Sequence, residues 1–134
     1  MTTAIDWDAL ATAATLARAS AYAPYSGFAV GSAVLTDDGR IVTGANVENA
    51  VYGLGICAER VAIAAAVAAG ARRIRAIAVC TDTEPPARPC GPCLQVMAEF
   101  GDDIPILLFS IQGHRQMSSA RELLPEPFSL PKPS

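Results

Sequence analysis

Apolar and polar positions alternate along the chain with periods that predict short helices and strands. Between residues 10 and 17 the apolar positions recur at helical spacing after Asp6, a candidate N-cap, so a first helix should run to about Ser20. Two runs rich in small and β-branched residues follow, Phe28 to Thr36 and Arg40 to Val47, separated by an Asp-Asp-Gly turn. Strand-forming runs joined by such a turn predict an antiparallel hairpin.

The second half of the chain shows longer apolar segments. A helix is predicted from about Cys57 to Ala69, ended by Gly70, and it is apolar almost all round, which predicts burial on most sides. The continuous apolar run from Ile74 to Thr81 is typical of a central strand covered on both faces. The remaining predicted elements are a helix at Gly91–Phe100, a strand at Ile104–Phe109, a short strand near Arg115–Met117 and a helical turn at Ser119–Leu124. This order predicts a three-layer α/β/α fold around one mixed five-stranded sheet.

Length and composition limit what such a chain can be. Its 134 residues predict one domain, 1–134, of which about 126–134 form a proline-rich, loosely ordered tail. Apolar residues make up 51% and charged residues 17%, which excludes disorder and suggests that a subunit interface covers surplus apolar surface. A net charge of −3 argues against nucleic acid as a partner. The longest apolar run, Val61–Ala69, is too short for a membrane span, and no signal peptide is visible, so a cytoplasmic location is expected.

The four cysteines introduce candidate chemistry. Cys57 opens the sequence Cys-Ala-Glu at one predicted helix start, and residues 89–93 read Pro-Cys-Gly-Pro-Cys at the next. Cys90 and Cys93 are three residues apart and share one face of a helical turn, as close sulfur ligands of tetrahedral zinc must. Cys57 supplies a third thiolate if the two helix starts meet. Three protein ligands leave the fourth position for water, the arrangement of a catalytic zinc site.

Two alternatives remain open at this point. The tetrapeptide from Cys90 to Cys93 is also that of thioredoxin-like redox sites, although redox chemistry leaves Cys57 and Glu59 unexplained. A closed structural site with four cysteines would recruit Cys80, which stands within an apolar strand and is more simply a small core residue.

The residues after Cys57 suit a metal-assisted reaction. Glu59, beside the metal, can shuttle protons for a bound water. Three thiolates on a divalent zinc ion carry a net negative charge, which opposes ionisation of that water. Arg60 can offset this charge by hydrogen bonding to a ligand sulfur.

Several motifs together resemble a known family. These motifs are Ala23-Pro24-Tyr25-Ser26, Phe28-x-Val30-Gly31, Asn46-x-Glu48-Asn49, Cys57-Ala58-Glu59-Arg60, Pro89-Cys90-x-x-Cys93, Gln95-Val96 and Leu123-Leu124-Pro125 with Phe128. The Cys-Ala-Glu and Pro-Cys-x-x-Cys motifs resemble the zinc deaminase signature in its all-cysteine version. With the other motifs, the chain from about Ala21 to Phe128 is similar to the small homotetrameric cytidine deaminases.

The resemblance implies a role for each matching position. It assigns one zinc ion per chain to Cys57, Cys90 and Cys93, proton transfer to Glu59, a sulfur-facing position to Arg60, ribose contacts to Asn46 and Glu48, pyrimidine packing to Phe28 and a further substrate contact to Ala58. Ala50, Tyr52 and Phe128 are expected to reach the site from neighbouring subunits. Independently, Asn46 and Glu48 alternate at a predicted strand end and should point to one side, where an amide and a carboxylate suit adjacent hydroxyls. Two polar residues closing an exposed strand are the simpler alternative.

The implied fold is cytidine-deaminase-like, and the implied reaction is hydrolytic deamination of cytidine and 2′-deoxycytidine in pyrimidine salvage. In that reaction Glu59 shuttles protons while a zinc hydroxide attacks C4 of the pyrimidine. There are two alternatives. The protein is a related deaminase that acts on another cytosine-bearing small molecule, or it is a thiol-disulfide module that uses Cys90 and Cys93. Two departures concern Ala45, where the family often has cysteine, and Leu94, where it often has arginine. The second affects the electrostatics around the site and the subunit contacts.

Overall fold

The computed structural model describes residues 4–133, which form a sheet with helices on both sides. The elements are α1 (Trp7–Arg18), β1 (Gly31–Thr36), β2 (Ile41–Ala45), α2 (Ala58–Ala68), β3 (Ile74–Thr81), α3 (Gly91–Phe100), β4 (Pro105–Ser110), β5 (Arg115–Ser119) and α4 (Ala120–Leu123), with a 3₁₀ turn at Tyr52–Leu54. None of the helices within residues 4–133 has the length and apolar content that crossing a membrane requires.

The sheet has the strand order β2-β1-β3-β4-β5. β3 and β4 run parallel, while the other neighbouring pairs are antiparallel, so the predicted mixed five-stranded sheet is confirmed. The central strand β3 is buried at every position except Arg75, as expected for a strand covered on both faces.

Two separate hydrophobic clusters cover the two faces of the sheet. On one face, α1 packs Leu10 and Ala14 against β1, β3 and β4. On the other face, α2, α3 and α4 enclose a larger cluster that includes Ile63 and Met97. The predicted three-layer α/β/α architecture is therefore confirmed. We call these the α1 face and the α2/α3 face.

Two glycines of the hairpin allow the helices to approach the sheet closely. A Cβ atom at Gly31 would lie 2.1 Å from the carbonyl oxygen of Ala14 in α1. A Cβ atom at Gly44 would lie 2.4 Å from the backbone nitrogen of Ala62 in α2. Real side chains do not tolerate such distances, so each glycine fixes how one helix sits on the hairpin.

Both hairpin strands are shorter than predicted. β1 begins at Gly31 rather than Phe28, and before it the Phe28 carbonyl and the Val30 N–H bond to the Asn46 side chain. β2 ends at Ala45, and beyond it Val47 makes only isolated bridges to Tyr22 and Ile56.

The helix ends lie close to the predicted positions, but α2 is less buried than predicted. Asp6 caps α1 by accepting a hydrogen bond from Ala9 N–H, although the helix ends at Arg18 and not Ser20. Gly70, at a φ of +107°, follows the end of α2.

The prediction that α2 is buried on most sides is wrong for the single chain: its outer face, including Ala64, Ala65 and Ala68, is exposed. Only one side of α2 meets the sheet, and alanine-rich composition alone does not reveal which sides are covered.

Candidate metal centre and active site

Three cysteine sulfurs converge where the N-termini of α2 and α3 meet. Cys57 and Cys90 are the N-cap residues of these helices, and Cys93 lies in the first turn of α3. The Cys57 and Cys90 sulfurs are 3.6 Å apart, those of Cys90 and Cys93 are 3.2 Å apart, and all three lie within 4.8 Å of one another. Tetrahedral zinc with Zn–S bonds of about 2.3 Å places its sulfurs about 3.8 Å apart. The cluster therefore fits a zinc ion with sub-ångström adjustments.

The electrostatics of the cluster also suit a cation. Hydrogen bonds from Cys93 and Arg60 lower the pKa of Cys57 to about 5. The same contact with Cys57, together with burial, raises the pKa of Cys93, because the Cys93 thiol must keep its proton to donate this hydrogen bond. A divalent cation removes this conflict by holding all three sulfurs as thiolates.

Arg60 lies beside the thiol cluster. Its Nη2 atom is 3.8 Å from the Cys57 sulfur and 3.4 Å from the carbonyl oxygen of Gly55. The hydrogen bond to Cys57 raises the pKa of the guanidinium, so this positive charge is permanent. Among residues 4–133, the Arg60 Nε is a buried side-chain nitrogen with no hydrogen-bond partner.

Glu59 is a buried carboxyl group in the first turn of α2. The residue is 4% exposed, and burial raises the pKa of its side chain to about 7. A carboxyl group with a pKa near neutrality can both accept and donate a proton at physiological pH, as general acid–base catalysis requires. A nearby cation would lower this pKa and favour the carboxylate.

A cavity of about 190 Å³ opens onto Glu59 and two of the three thiols, those of Cys57 and Cys90. Its walls also include Phe28, Asn46 and Ala58, so six of the predicted site residues meet there: Phe28, Asn46, Cys57, Ala58, Glu59 and Cys90. The volume is below the roughly 300 Å³ at which pockets for drug-sized ligands begin. It suits one planar ring rather than a whole nucleoside.

Asn46 uses its side chain to hold a neighbouring segment. Its Nδ2 donates to the carbonyl oxygen of Phe28 at 2.8 Å, and its Oδ1 accepts from Val30 N–H at 2.8 Å. One N–H and one lone pair of the amide are left for a ligand. This amide therefore fixes the position of Phe28 at the cavity wall.

Glu48 faces a different pocket from Asn46. Its carboxylate accepts hydrogen bonds from the backbone N–H groups of Tyr25 and Ser26, at 2.9 and 3.1 Å, and from the Ser26 hydroxyl. The Ser26 bond lowers the pKa of Glu48 below its ordinary value. Glu48 lines an exposed pocket of about 340 Å³ together with Tyr52. Although Glu48 is only two residues from Asn46, it does not line the Glu59 cavity. The structure does not bring the two predicted ribose contacts into one cavity.

The three residues expected to serve neighbouring subunits lie on the surface of this chain. Ala50 is exposed, Tyr52 is 80% exposed with its ring edge-on to Tyr25, and Phe128 is 71% exposed. None of them lines the Glu59 cavity. Their contribution to a neighbouring site stays a prediction.

Cys80 is separated from the thiol cluster by the sheet. It is fully buried on the α1 face, where its sulfur lies 3.9 Å from the hydroxyl of Thr15. This position excludes the closed four-cysteine site, because Cys80 cannot reach the other three sulfurs.

Sequence reasoning missed part of the cavity wall. Thr81, at the end of β3, and Ala87 and Arg88, in the loop before Cys90, also line it. The available signal was their position after a central strand, since ligands of α/β sheets bind beyond the carboxyl ends of strands.

The fold and the site together define a class of protein. A three-layer α/β/α fold in which two helix N-termini gather three cysteines beside a buried, non-ligating glutamate has the architecture of the zinc-dependent deaminases. Residues 5–108 match the family model described as the cytidine and deoxycytidylate deaminase zinc-binding region, and the chain belongs to this family.

Similar proteins agree with this assignment over most of the chain. It is 50% identical over 114 residues to a cytidine deaminase of Halalkalibacterium halodurans, covering 84% of this chain and 86% of that protein. It is 43% identical over 126 residues to the cytidine deaminase of Mycobacterium tuberculosis, covering 94% and 92%. The crystal structure of cytidine deaminase from Burkholderia pseudomallei has a TM-score of 0.89 at 49% identity and covers 92% of this chain and 100% of that one.

Proposed function

We propose that this protein is a zinc-dependent cytidine deaminase that converts cytidine and 2′-deoxycytidine to uridine and 2′-deoxyuridine with release of ammonia. The observation that carries the proposal is a buried glutamate beside three convergent thiols, in the wall of a cavity that suits one ring. The reaction belongs to pyrimidine salvage, and the acidic charge of the chain supports small nucleosides rather than nucleic acid as substrates.

Cys57, Cys90 and Cys93 would hold the zinc ion, one per chain. When bound, zinc supplies Lewis-acid chemistry that lets a water molecule ionise near neutral pH. Arg60, within 3.8 Å of the Cys57 sulfur, withdraws negative charge from the thiolates and so favours this ionisation.

Glu59 carries the proton transfers. It accepts a proton from the attacking water and donates a proton to ring nitrogen N3, while the water oxygen bonds to C4. It then takes the proton of the new C4 hydroxyl group and delivers it to the exocyclic amine, which leaves as ammonia as the C4–N bond breaks and the C4 carbonyl forms. Burial raises the pKa of this carboxyl group, which supports proton donation, whereas a bound cation favours the carboxylate that accepts the proton.

The remaining predicted residues bind the substrate. Phe28 packs against the pyrimidine, Ala58 lines the same cavity, and Asn46 offers its free N–H and lone pair to the sugar. Glu48 completes the ribose contacts from the adjoining pocket. Ala50, Tyr52 and Phe128 serve the sites of neighbouring copies in a homotetramer, and their exposure on the single chain supports this assignment. We place the enzyme in the cytoplasm, without nucleic acid or membrane partners.

The direct test is the loss of ultraviolet absorbance from cytidine on addition of the purified protein, alongside a zinc assay. We expect turnover of cytidine and 2′-deoxycytidine with about one zinc per chain. A metal-free protein that reduces disulfides and leaves cytidine unchanged would replace this function with dithiol chemistry at Cys90 and Cys93. Zinc without cytidine turnover would point to another cytosine-bearing substrate.

A further inference from the structure

We infer that Gln95 is a positioning residue whose side chain clamps the backbone of Phe128 and so presents the phenyl ring to a neighbouring copy's catalytic cavity. The inference rests on the proposed role of Phe128. It concerns residues 125–133, which follow α4 without regular secondary structure and which we call the C-terminal arm.

Both polar ends of the Gln95 carboxamide are used on one residue of the arm. Gln95 Nε2 donates to the carbonyl oxygen of Phe128 at 2.7 Å, and Phe128 N–H donates to Gln95 Oε1 at 3.0 Å. This pairing leaves the peptide at Phe128 little freedom to translate or rotate, because displacement weakens two hydrogen bonds together.

Other interactions hold the arm weakly. The Phe128 ring is 71% exposed, so burial in this chain does not fix it. Lys132 forms an ion pair with Glu99 at 3.0 Å, but both side chains are largely exposed and such pairs contribute little. A cavity of about 560 Å³ remains between the arm and α3, so the arm is not closely packed on the helix.

The clamp links the arm to the metal centre. Gln95 stands on α3 two residues after the thiol ligand Cys93, and it does not line the Glu59 cavity. It therefore acts on the reaction through Phe128 and not by touching substrate. The helix that presents two of the sulfurs in one chain also sets where that chain's phenyl ring stands.

The test compares Gln95→Met, which keeps the volume and loses both hydrogen bonds, with Gln95→Glu, which keeps an acceptor for Phe128 N–H. Glu99→Gln is the matched control, since it weakens the ion pair of the same arm and leaves the clamp intact. Two readouts follow the clamp itself: amide hydrogen exchange at Phe128 and the rate of chymotrypsin cleavage after Phe128. We expect both rates to rise roughly tenfold in Gln95→Met, the scale of two neutral hydrogen bonds, and less in Gln95→Glu.

The kinetic readout separates positioning from folding. We expect Gln95→Met to raise KM for cytidine roughly tenfold with nearly unchanged kcat, zinc content and thermal midpoint, and Glu99→Gln to match the parent. The double variant Gln95→Met with Phe128→Ala should be no worse than Phe128→Ala alone, because one interaction is lost in both.

Three results would overturn the inference. Parental KM and cleavage rates in Gln95→Met, with Phe128→Ala impaired, would dismiss the clamp and leave the proposed role of Phe128 standing. Faster cleavage with a harmless Phe128→Ala would dismiss that role as well. Additive losses in the double variant would mean that Gln95 acts by another route. Failure of the proposed function is read separately, from the absence of cytidine turnover in the parent protein.

Discussion

On the α1 face of the sheet, Cys80 is fully buried in the middle of an apolar cluster, and its pKa is raised chiefly by that burial. On the α2/α3 face, Cys57 caps a helix beside Arg60 and two other thiols, and its pKa is lowered to about 5. The same side chain is thus a small hydrophobic group in one region and a candidate metal ligand in the other. What distinguishes them is the surroundings, because Cys57 accepts hydrogen bonds from Cys93 and Arg60 at a helix N-terminus, and these favour the thiolate.

The largest difference between the two faces should appear when the thiols are removed. Cys57→Ala, Cys90→Ala and Cys93→Ala should each lose zinc and cytidine turnover together, because two thiolates hold the ion poorly. Metal analysis of the purified variants beside a turnover assay measures both. A variant that keeps one zinc per chain would remove that cysteine from the ligand set.

Glu59 tests whether the α2/α3 face does more than hold metal. Glu59→Gln keeps the size of the side chain and removes its ability to exchange protons. We expect zinc to stay bound while kcat falls by about 10²–10⁴, the usual contribution of general acid–base catalysis. Near-parental turnover would reduce Glu59 to a residue favoured only by the helix N-terminus.

The two hairpin glycines form a matched pair for the two faces. Gly44→Ala would place a methyl group 2.4 Å from the backbone of α2, whereas Gly31→Ala would place one 2.1 Å from the backbone of α1. Both should destabilise the fold by about 1–3 kcal/mol through overpacking. Only Gly44→Ala displaces the helix that carries Cys57 and Glu59, and a shift near 1 Å can cost about 10²-fold in rate.

Thermal unfolding and kcat, measured on both glycine variants, separate these effects. We expect similar losses of stability and a selective loss of kcat in Gly44→Ala. Equal kcat losses in both variants would show that the catalytic geometry depends on the whole sheet and not specifically on how α2 packs against Gly44.

Asn46 and Glu48 test the predicted sugar contacts of the α2/α3 face. Replacing either residue by Ala should lower kcat/KM for nucleosides far more than for free cytosine, since only nucleosides carry sugar hydroxyls. The lost hydrogen bond to the charged Glu48 carboxylate should cost about 1.5–3 kcal/mol in kcat/KM for cytidine, and the lost bond to the neutral Asn46 amide about 0.5–1.5 kcal/mol. Equal losses on cytidine and cytosine would instead mean that both residues act by ordering the loops that they bond, at Phe28 and Ser26.

Cys80→Ala should have the smallest effect. We expect about 1–2 kcal/mol lower unfolding free energy from the lost packing, with zinc content and turnover unchanged. Zinc loss comparable to that of Cys57→Ala would contradict the separation of the two faces.

The order of the elements and the candidate metal-binding cysteines could be predicted from local sequence signals. Helical periodicity, a capping Asp6, a C-terminal Gly70 and an unbroken apolar run at β3 are local signals, and each element that they predict is present. The spacing of Cys90 and Cys93 is equally local, because a three-residue separation in a helical turn fixes their mutual distance.

How distant segments meet follows from the packing of the whole chain and not from local sequence. Strand alternation places Cys80 with Ala76 and Ala78, but only packing reveals that α1 covers that side. The amide of Asn46 bonds to residues 28–30 and that of Gln95 to Phe128, 33 residues away, and no periodic pattern encodes such partners. The close approach of α2 at Gly44 and the exposure of its outer side were not predictable for the same reason. How closely a helix approaches a sheet depends on the three-dimensional shape of both surfaces, which local sequence does not specify.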